Sequence, residues 1–199
     1  LEEKRALYYV GQQTTGQSQR KDFMLEASRV LEQPHIAELN PVRWEAAFES
    51  VTGAWPENGR IIIVLDEFQW IASSSPEILS AIQRLWDRKW QRDPRIMLIV
   101  CGSYVGFMET DVLGKKSPLF GRRTGQILLQ PFSYQEAALF HPGYSHLDHV
   151  RTYGICGGIP LYLNFFDKHR SVEMNIIDNF LQEQAPLFRE ADFLLREEL

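Results

Sequence analysis

Residues 60 to 70 read Arg60-Ile61-Ile62-Ile63-Val64-Leu65-Asp66-Glu67-Phe68-Gln69-Trp70, and the fold turns on them. Five consecutive apolar residues, four of them β-branched, predict a strand buried on both faces, as in a parallel sheet. Two carboxylates follow at once. An unpaired carboxylate is costly to bury, so a pair capping a buried strand faces a cation, a cationic side chain or the mouth of a site. In open α/β sheets, ligands sit beyond the carboxyl ends of such strands. In phosphoryl transfer, the first acid of such a pair holds magnesium and the second polarises an attacking water. The plain alternative is an Asp-Glu pair that caps the next turn and makes surface ion pairs.

Working outward, the 199 residues suffice for one sizeable domain, or one domain and a small appendage. Apolar residues make up 44% and charged residues 24%, the balance of a globular chain. The net charge of −5 leaves no basic footprint, so no nucleic-acid signal is present. The two cysteines, Cys101 and Cys156, show no pairing pattern and read as buried free thiols of a cytoplasmic protein. No apolar run is long enough for a membrane span, and no signal peptide is visible. The chain starts at Leu1, without Met and in mid-element, so it is expected to be a fragment of a longer protein.

Along the chain, Arg5 to Val10 predicts a short strand and Gly11 to Gln19 a loop. Phe23, Ala27, Val30 and Leu31 fall at helical spacing within 20–31, and Pro34 stops that helix. Asn40-Pro41 looks like an N-cap with proline at the first helical position, and Trp44, Ala47, Phe48 and Val51 form the apolar face behind it. After a loop at 72–76, a helix from Pro76 to about Lys89 presents Ile78, Leu79, Ile82, Leu85 and Trp86. Arg95 to Cys101 is a second buried apolar strand ending in Gly102-Ser103. Val105 to Thr110 predicts a short helix, and Gln126 to Leu129 a last strand closed by Pro131. From Ser133-Tyr134-Gln135-Glu136, a capping box, the pattern is helical only. Helices are expected at about 147–155, from Pro160, after Ser171 and after Pro186. An α/β part over 1–131 and a helical part over 132–199 are therefore expected.

Strands alternating with helices, then a helical appendage, predict a parallel sheet with a small helical lid. The segments now in view carry a resemblance. Ile61 to Trp70 looks like the Walker B strand of P-loop ATPases, with an added glutamate. Arg95 to Ser103 looks like the sensor 1 strand. Pro118-Leu119-Phe120-Gly121-Arg122-Arg123-Thr124-Gly125, then Pro131-Phe132-Ser133, then Gly157-Gly158-Ile159-Pro160, resemble the archaeal-type AAA+ ATPase family. That family is close to the signalling ATPases with a Gly-x-Pro lid. The resemblance implies an α/β fold of the P-loop NTPase kind, ATP and Mg2+ as cofactors, and ATP hydrolysis, with a homo-oligomer as one option. The family's Gly-x-x-x-x-Gly-Lys-Ser/Thr loop is absent. Gly11 to Ser18 has no lysine in the required place and follows the wrong strand. The loop is expected upstream of Leu1.

Each candidate residue has two readings. Asp66 is a magnesium and cofactor ligand and Glu67 the activator of water, or both make surface ion pairs. Ser103 holds the attacking water or the γ-phosphate, or caps a helix. Arg122 or Arg123 reaches phosphate, from its own subunit or a neighbour, or pairs with nearby acids. Gly158 and Pro160 form part of the cofactor-binding lid, Pro160 against the adenine, or merely stop one helix and start the next. His146 and His149, lacking a third ligand, read as a solvated helix face.

The functional expectation is an ATP-hydrolysing domain. The alternatives are a nucleotide-gated signalling or assembly switch with little turnover, and a non-catalytic interaction domain. The resemblance also implies the sheet order 5-1-4-3-2, in which 5–10, 61–65, 96–101 and 126–129 are strands 2, 3, 4 and 5. The slot of strand 1 would then lie open, about 5 Å wide, and would be closed by strand 5, filled by another chain, or filled by the missing peptide.

Overall fold

A computed structural model describes residues 5–190. The chain divides into two compact units, one running to Gln126 and the other starting at Ile127.

The first unit is built on three parallel strands, β1 (Ala6–Val10), β2 (Ile61–Asp66) and β3 (Ile96–Val100), in the order β1-β2-β3. The middle strand, β2, is the one whose five apolar residues are all buried, because a central strand is covered on both sides, whereas the equally apolar β3 is only partly buried. Register pairs Leu7 with Ile63 and Tyr9 with Leu65, and on the other side Ile63 with Leu98 and Leu65 with Val100. Strand side chains alternate, so these residues share one face. That face packs on helices α1 (Gly16–Leu31), α2 (His35–Glu38), α3 (Trp44–Ala54), α4 (Phe68–Ser74) and α5 (Ile78–Arg88). Phe23, Trp44 and Phe48 meet at centroid distances of 5.3 to 5.6 Å, the edge-on and tilted contacts that aromatic rings favour. The opposite face carries Tyr8, Val10, Ile62, Val64, Met97 and Ile99, and Tyr8, Val10 and Met97 are 41 to 49% exposed.

Several features differ from expectation, among them the loop expected at 72–76, whose first three residues end helix α4. Helix α1 begins at Gly16, because Thr15 caps it by accepting from the Ser18 amide. Gln19, assigned to a loop by its polarity, is fully buried in that helix. Its amide accepts from Tyr9 Oη and Gln12 N and donates to Trp70 O and Ser74 Oγ, tying β1, α1 and α4 together. Helix α3 starts at Trp44, later than Asn40-Pro41 suggests, and the Pro41 carbonyl instead accepts from Arg20 Nε. Strand β3 is only half buried, because no strand among the described residues pairs with its outer edge. Gln126–Leu129 is not a strand. Extended backbone without a neighbour makes no ladder, and Ile127 and Leu129 stand 87% and 88% exposed. After β3 the chain makes one short helical turn, α6 (Val105–Phe107), which runs into a π-turn over Met108–Val112.

The second unit holds α7 (Tyr134–Ala138), α8 (His146–Cys156), α9 (Pro160–Phe165) and α10 (Val172–Ile176). Ser133 and Glu136 form the capping box: the Ser133 amide donates to Glu136 Oε2 at 2.8 Å, and the Ser133 hydroxyl accepts from the Glu136 amide. Ser145 and Ser171 cap α8 and α10 by the hydroxyl alone, which accepts from the Asp148 and Met174 amides. Ala137, Cys156, Leu163, Phe166 and Val172 form its core. The acidic helix expected after Pro186 lies mostly outside the described residues.

Candidate nucleotide-hydrolysis site

The apolar run of β2 carries Asp66 to the carboxyl end of the middle strand. Neighbouring backbones close around it: Gly11 N donates to Asp66 O and Cys101 N to Leu65 O, each at 2.8 Å, and Phe68 N donates to Cys101 O at 3.0 Å. The ends of all three strands therefore meet at the two acids. Glu67 adopts φ 47° and ψ 44°, a left-handed backbone that glycine or asparagine adopts far more cheaply. This single residue turns the chain from β2 straight into α4. Gly11 passes so close that a Cβ there would lie 2.6 Å from the Glu67 carbonyl oxygen and 2.7 Å from Ile71 Cγ1, so only glycine lets β1 leave the sheet along this path.

The side chains form two linked sets. Asp66 Oδ1 accepts from the Glu67 amide at 2.9 Å, and Oδ2 accepts from the hydroxyl of Tyr8 on β1. That hydrogen bond, with some burial, holds the Tyr8 phenol above its ordinary pKa, since ionising it would set two anions side by side. Glu67 Oε2 accepts from Ser103 Oγ at 2.9 Å and from Gln69 Nε2. The same Gln69 nitrogen lies 3.2 Å from Ser103 Oγ. Burial, and then the charge of Asp66, push the Cys101 thiol upward, so it remains protonated beside the acids.

Asp66, Glu67 and Ser103 are thus brought together. Arg122 is held elsewhere: its guanidinium forks onto Asp87 of α5 at 2.8 and 2.7 Å, and Nη1 donates to Pro118 O at 2.9 Å. The pairing holds Asp87 below the usual carboxylate range and Arg122 above its own. Arg123 is exposed. In the second unit, Gly158 is buried against the Phe132 backbone, where a Cβ would fall 1.9 Å from the carbonyl oxygen. Pro160 occupies the first turn of α9 and is exposed. Sequence reasoning missed Tyr8 and Gln69. The i+2 spacing from Glu67 was a usable signal for Gln69, but Tyr8 is reached only through the β1–β2 register.

One magnesium fits the donors present. Mg2+ is commonly held by one or two carboxylates, several waters and substrate phosphates, and Asp66 is a half-buried carboxylate at a strand end. No cluster of three or more His, Cys, Asp or Glu among the described residues offers a closed metal cage. A cleft lined by Ile61, Ile96, Leu85 and Trp90 lies at the amino end of β2, away from the acids.

A parallel α/β unit with an acid pair at the carboxyl end of its middle strand is the layout of a nucleotide-binding domain. The model of a family described as an ATPase domain predominantly from Archaea matches residues 2–166, so the chain belongs to that family of ATPase domains. An uncharacterized protein of Methanocaldococcus jannaschii, MJECL04, is 31% identical over 203 residues, across 100% of this chain and 42% of that relative's own length. No solved structure matches the chain.

Proposed function

We propose that the full-length protein binds ATP with magnesium and hydrolyses its β–γ bond in an AAA+ type site, to which this unit contributes Asp66 and Glu67. The observation that carries the reading is the pair itself, standing at the end of the middle strand with Glu67 in a costly backbone conformation. A site keeps such strain when a particular side chain is needed there. Asp66 would hold the magnesium through its carboxylate, and bound magnesium would offset the charge developing on the phosphates. Glu67 takes a proton from the attacking water as its oxygen bonds to the γ-phosphorus and ADP leaves. Of the two arginines, we assign the phosphate role to Arg123, because Arg122 is committed to Asp87.

The phosphate-binding loop is proposed to lie in polypeptide outside these 199 residues, in a strand pairing with the outer edge of β3. Two observations support this. The sequence contains no Gly-x-x-x-x-Gly-Lys-Ser/Thr motif, and β3 has an edge with no partner among the described residues. Among the described residues no helix is long and apolar enough to cross a membrane.

The test is magnesium-dependent phosphate release by the full-length protein. Glu67→Gln is expected to retain ATP binding and abolish turnover, and unchanged turnover would remove Glu67 from the reaction. The second reading, a nucleotide-gated switch, is favoured by Gly158-Ile159-Pro160, whose exposed proline offers a ring to a base. A single-turnover rate far above the steady-state rate would favour the switch.

A further inference from the structure

We propose that Gln69 is the positioning residue of the hydrolytic glutamate: with Ser103 it clamps Oε2 of Glu67, leaving Oε1 to take the proton from the attacking water. The inference rests on the ATPase reading of the site. It starts from the end of β2, where the left-handed turn at Glu67 places Gln69 in the first turn of α4, directed toward the end of β3. Gln69 is 8% exposed, and its Nε2 serves both Glu67 Oε2 and Ser103 Oγ. Ser103 in turn donates its hydroxyl proton to the same Glu67 oxygen at 2.9 Å. One carboxylate oxygen thus accepts from two side chains on different elements. Among the described residues no hydrogen bond reaches the other oxygen.

The orientation of the Gln69 amide follows from charge. Turned over, its carbonyl would face the carboxylate, so the nitrogen must point to Glu67. The consequence is a buried Gln69 Oε1 with no hydrogen-bond partner. A leucine or methionine would fill the same space without that penalty. Gly102 lies just beyond, and a Cβ there would come within 2.8 Å of Gln69 Oε1, so the chain also leaves room for the amide. An orphaned carbonyl and a left-handed glutamate are thus tolerated within three residues of each other, and both serve the placement of one carboxylate. Ser103 then acts on Glu67, since its single proton is already donated, rather than on the water or phosphate.

The experiment uses the full-length protein, with ATP binding by calorimetry and turnover by phosphate release. Gln69→Leu removes both donors and keeps the volume. It is expected to lower kcat about 10²-fold, the loss that misplacing a catalytic group by about 1 Å produces, with the Kd for magnesium–ATP unchanged within about twofold. Ser103→Ala, at an exposed position, attacks the clamp from the other side and is expected to lower kcat in the same way. In a Glu67→Gln background, whatever residual single-turnover rate remains is expected to be the same with and without Gln69→Leu, because its effect passes through Glu67. Unchanged kcat in either single variant, or losses that multiply in the Glu67→Gln background, would overturn the clamp and leave the ATPase reading standing. A wild-type protein with no magnesium-dependent turnover would overturn the ATPase reading, and the positioning role with it.

Discussion

Replacing Glu67 by glycine and by alanine gives a comparison whose sign depends on the backbone. Both variants lose the carboxylate and release Gln69 and Ser103, so those effects cancel between them. What remains is φ 47°, ψ 44°. A left-handed residue with a Cβ bears about 1–2 kcal/mol of steric cost that glycine escapes. Glycine carries about 0.5–1 kcal/mol more chain entropy to lose on folding. The glycine variant should therefore be the more stable, by about 0.8 kcal/mol at the centre of the two ranges and about 1.5 kcal/mol at most. In a domain of 150–250 residues each kcal/mol moves the melting midpoint by about 2–4 °C, so the gap should be about 2–3 °C by calorimetry on the full-length protein. At an ordinary extended or helical position the order reverses, and alanine is the more stable. An alanine variant that melts at or above the glycine variant would refute the left-handed turn and the argument from strain built on it.

Gly158→Ala would push a methyl against the Phe132 carbonyl, and is expected to destabilise the second unit by about 3 kcal/mol; an unchanged urea midpoint would show that the loop can yield. Because the Arg122 hydrogen bonds lower the folded-state pKa of Asp87, that pair stabilises the fold above the unfolded carboxylate pKa of about 4, and its contribution is lost as pH falls through the folded value. The melting difference between wild type and Asp87→Asn should accordingly be present at pH 7 and shrink at the most acidic pH where both still fold; a difference independent of pH would count against the ion pair. Burial pushes the Cys156 thiol up to about 12, so iodoacetamide at pH 8 should leave it unmodified in the native protein and label it in urea, while labelling at equal rates in both states would contradict its burial.

The strand over 61–65 was legible because five apolar residues in a row need cover, and the acids because they follow that run directly; its central place was not, since β3 carries an apolar run of the same length at the edge. The start of α1 was not, since apolar periodicity is blind to a buried glutamine whose four hydrogen bonds offset its polarity, as at Gln19. Gln126–Leu129 has strand composition, but a strand exists only with a partner, and composition does not say whether one is there. Tyr8 was invisible for a related reason: its bond to Asp66 depends on which residue of β1 lies beside which residue of β2. Glu67 gave no warning of its backbone, because a left-handed turn is expected first at glycine, asparagine or aspartate, and glutamate carries no such signal.

The outer edge of β3 has a bearing on handling the protein as well as on its chemistry. Ile96-Met97-Leu98-Ile99-Val100 is five residues long, with no charge, no proline and no glycine, and edge strands in natural proteins are usually blunted by one of those devices. Only Arg95 at its entrance is charged, and that guanidinium is already turned back onto Asp93. Such an edge is a template for the backbone of any other extended chain, including another copy of itself, and its composition is that of segments that stack into cross-β fibrils. A polypeptide pairing with that edge, as proposed above, would act as an internal chaperone for this sheet, and preparations that leave the edge open should be limited by solubility before they are limited by folding.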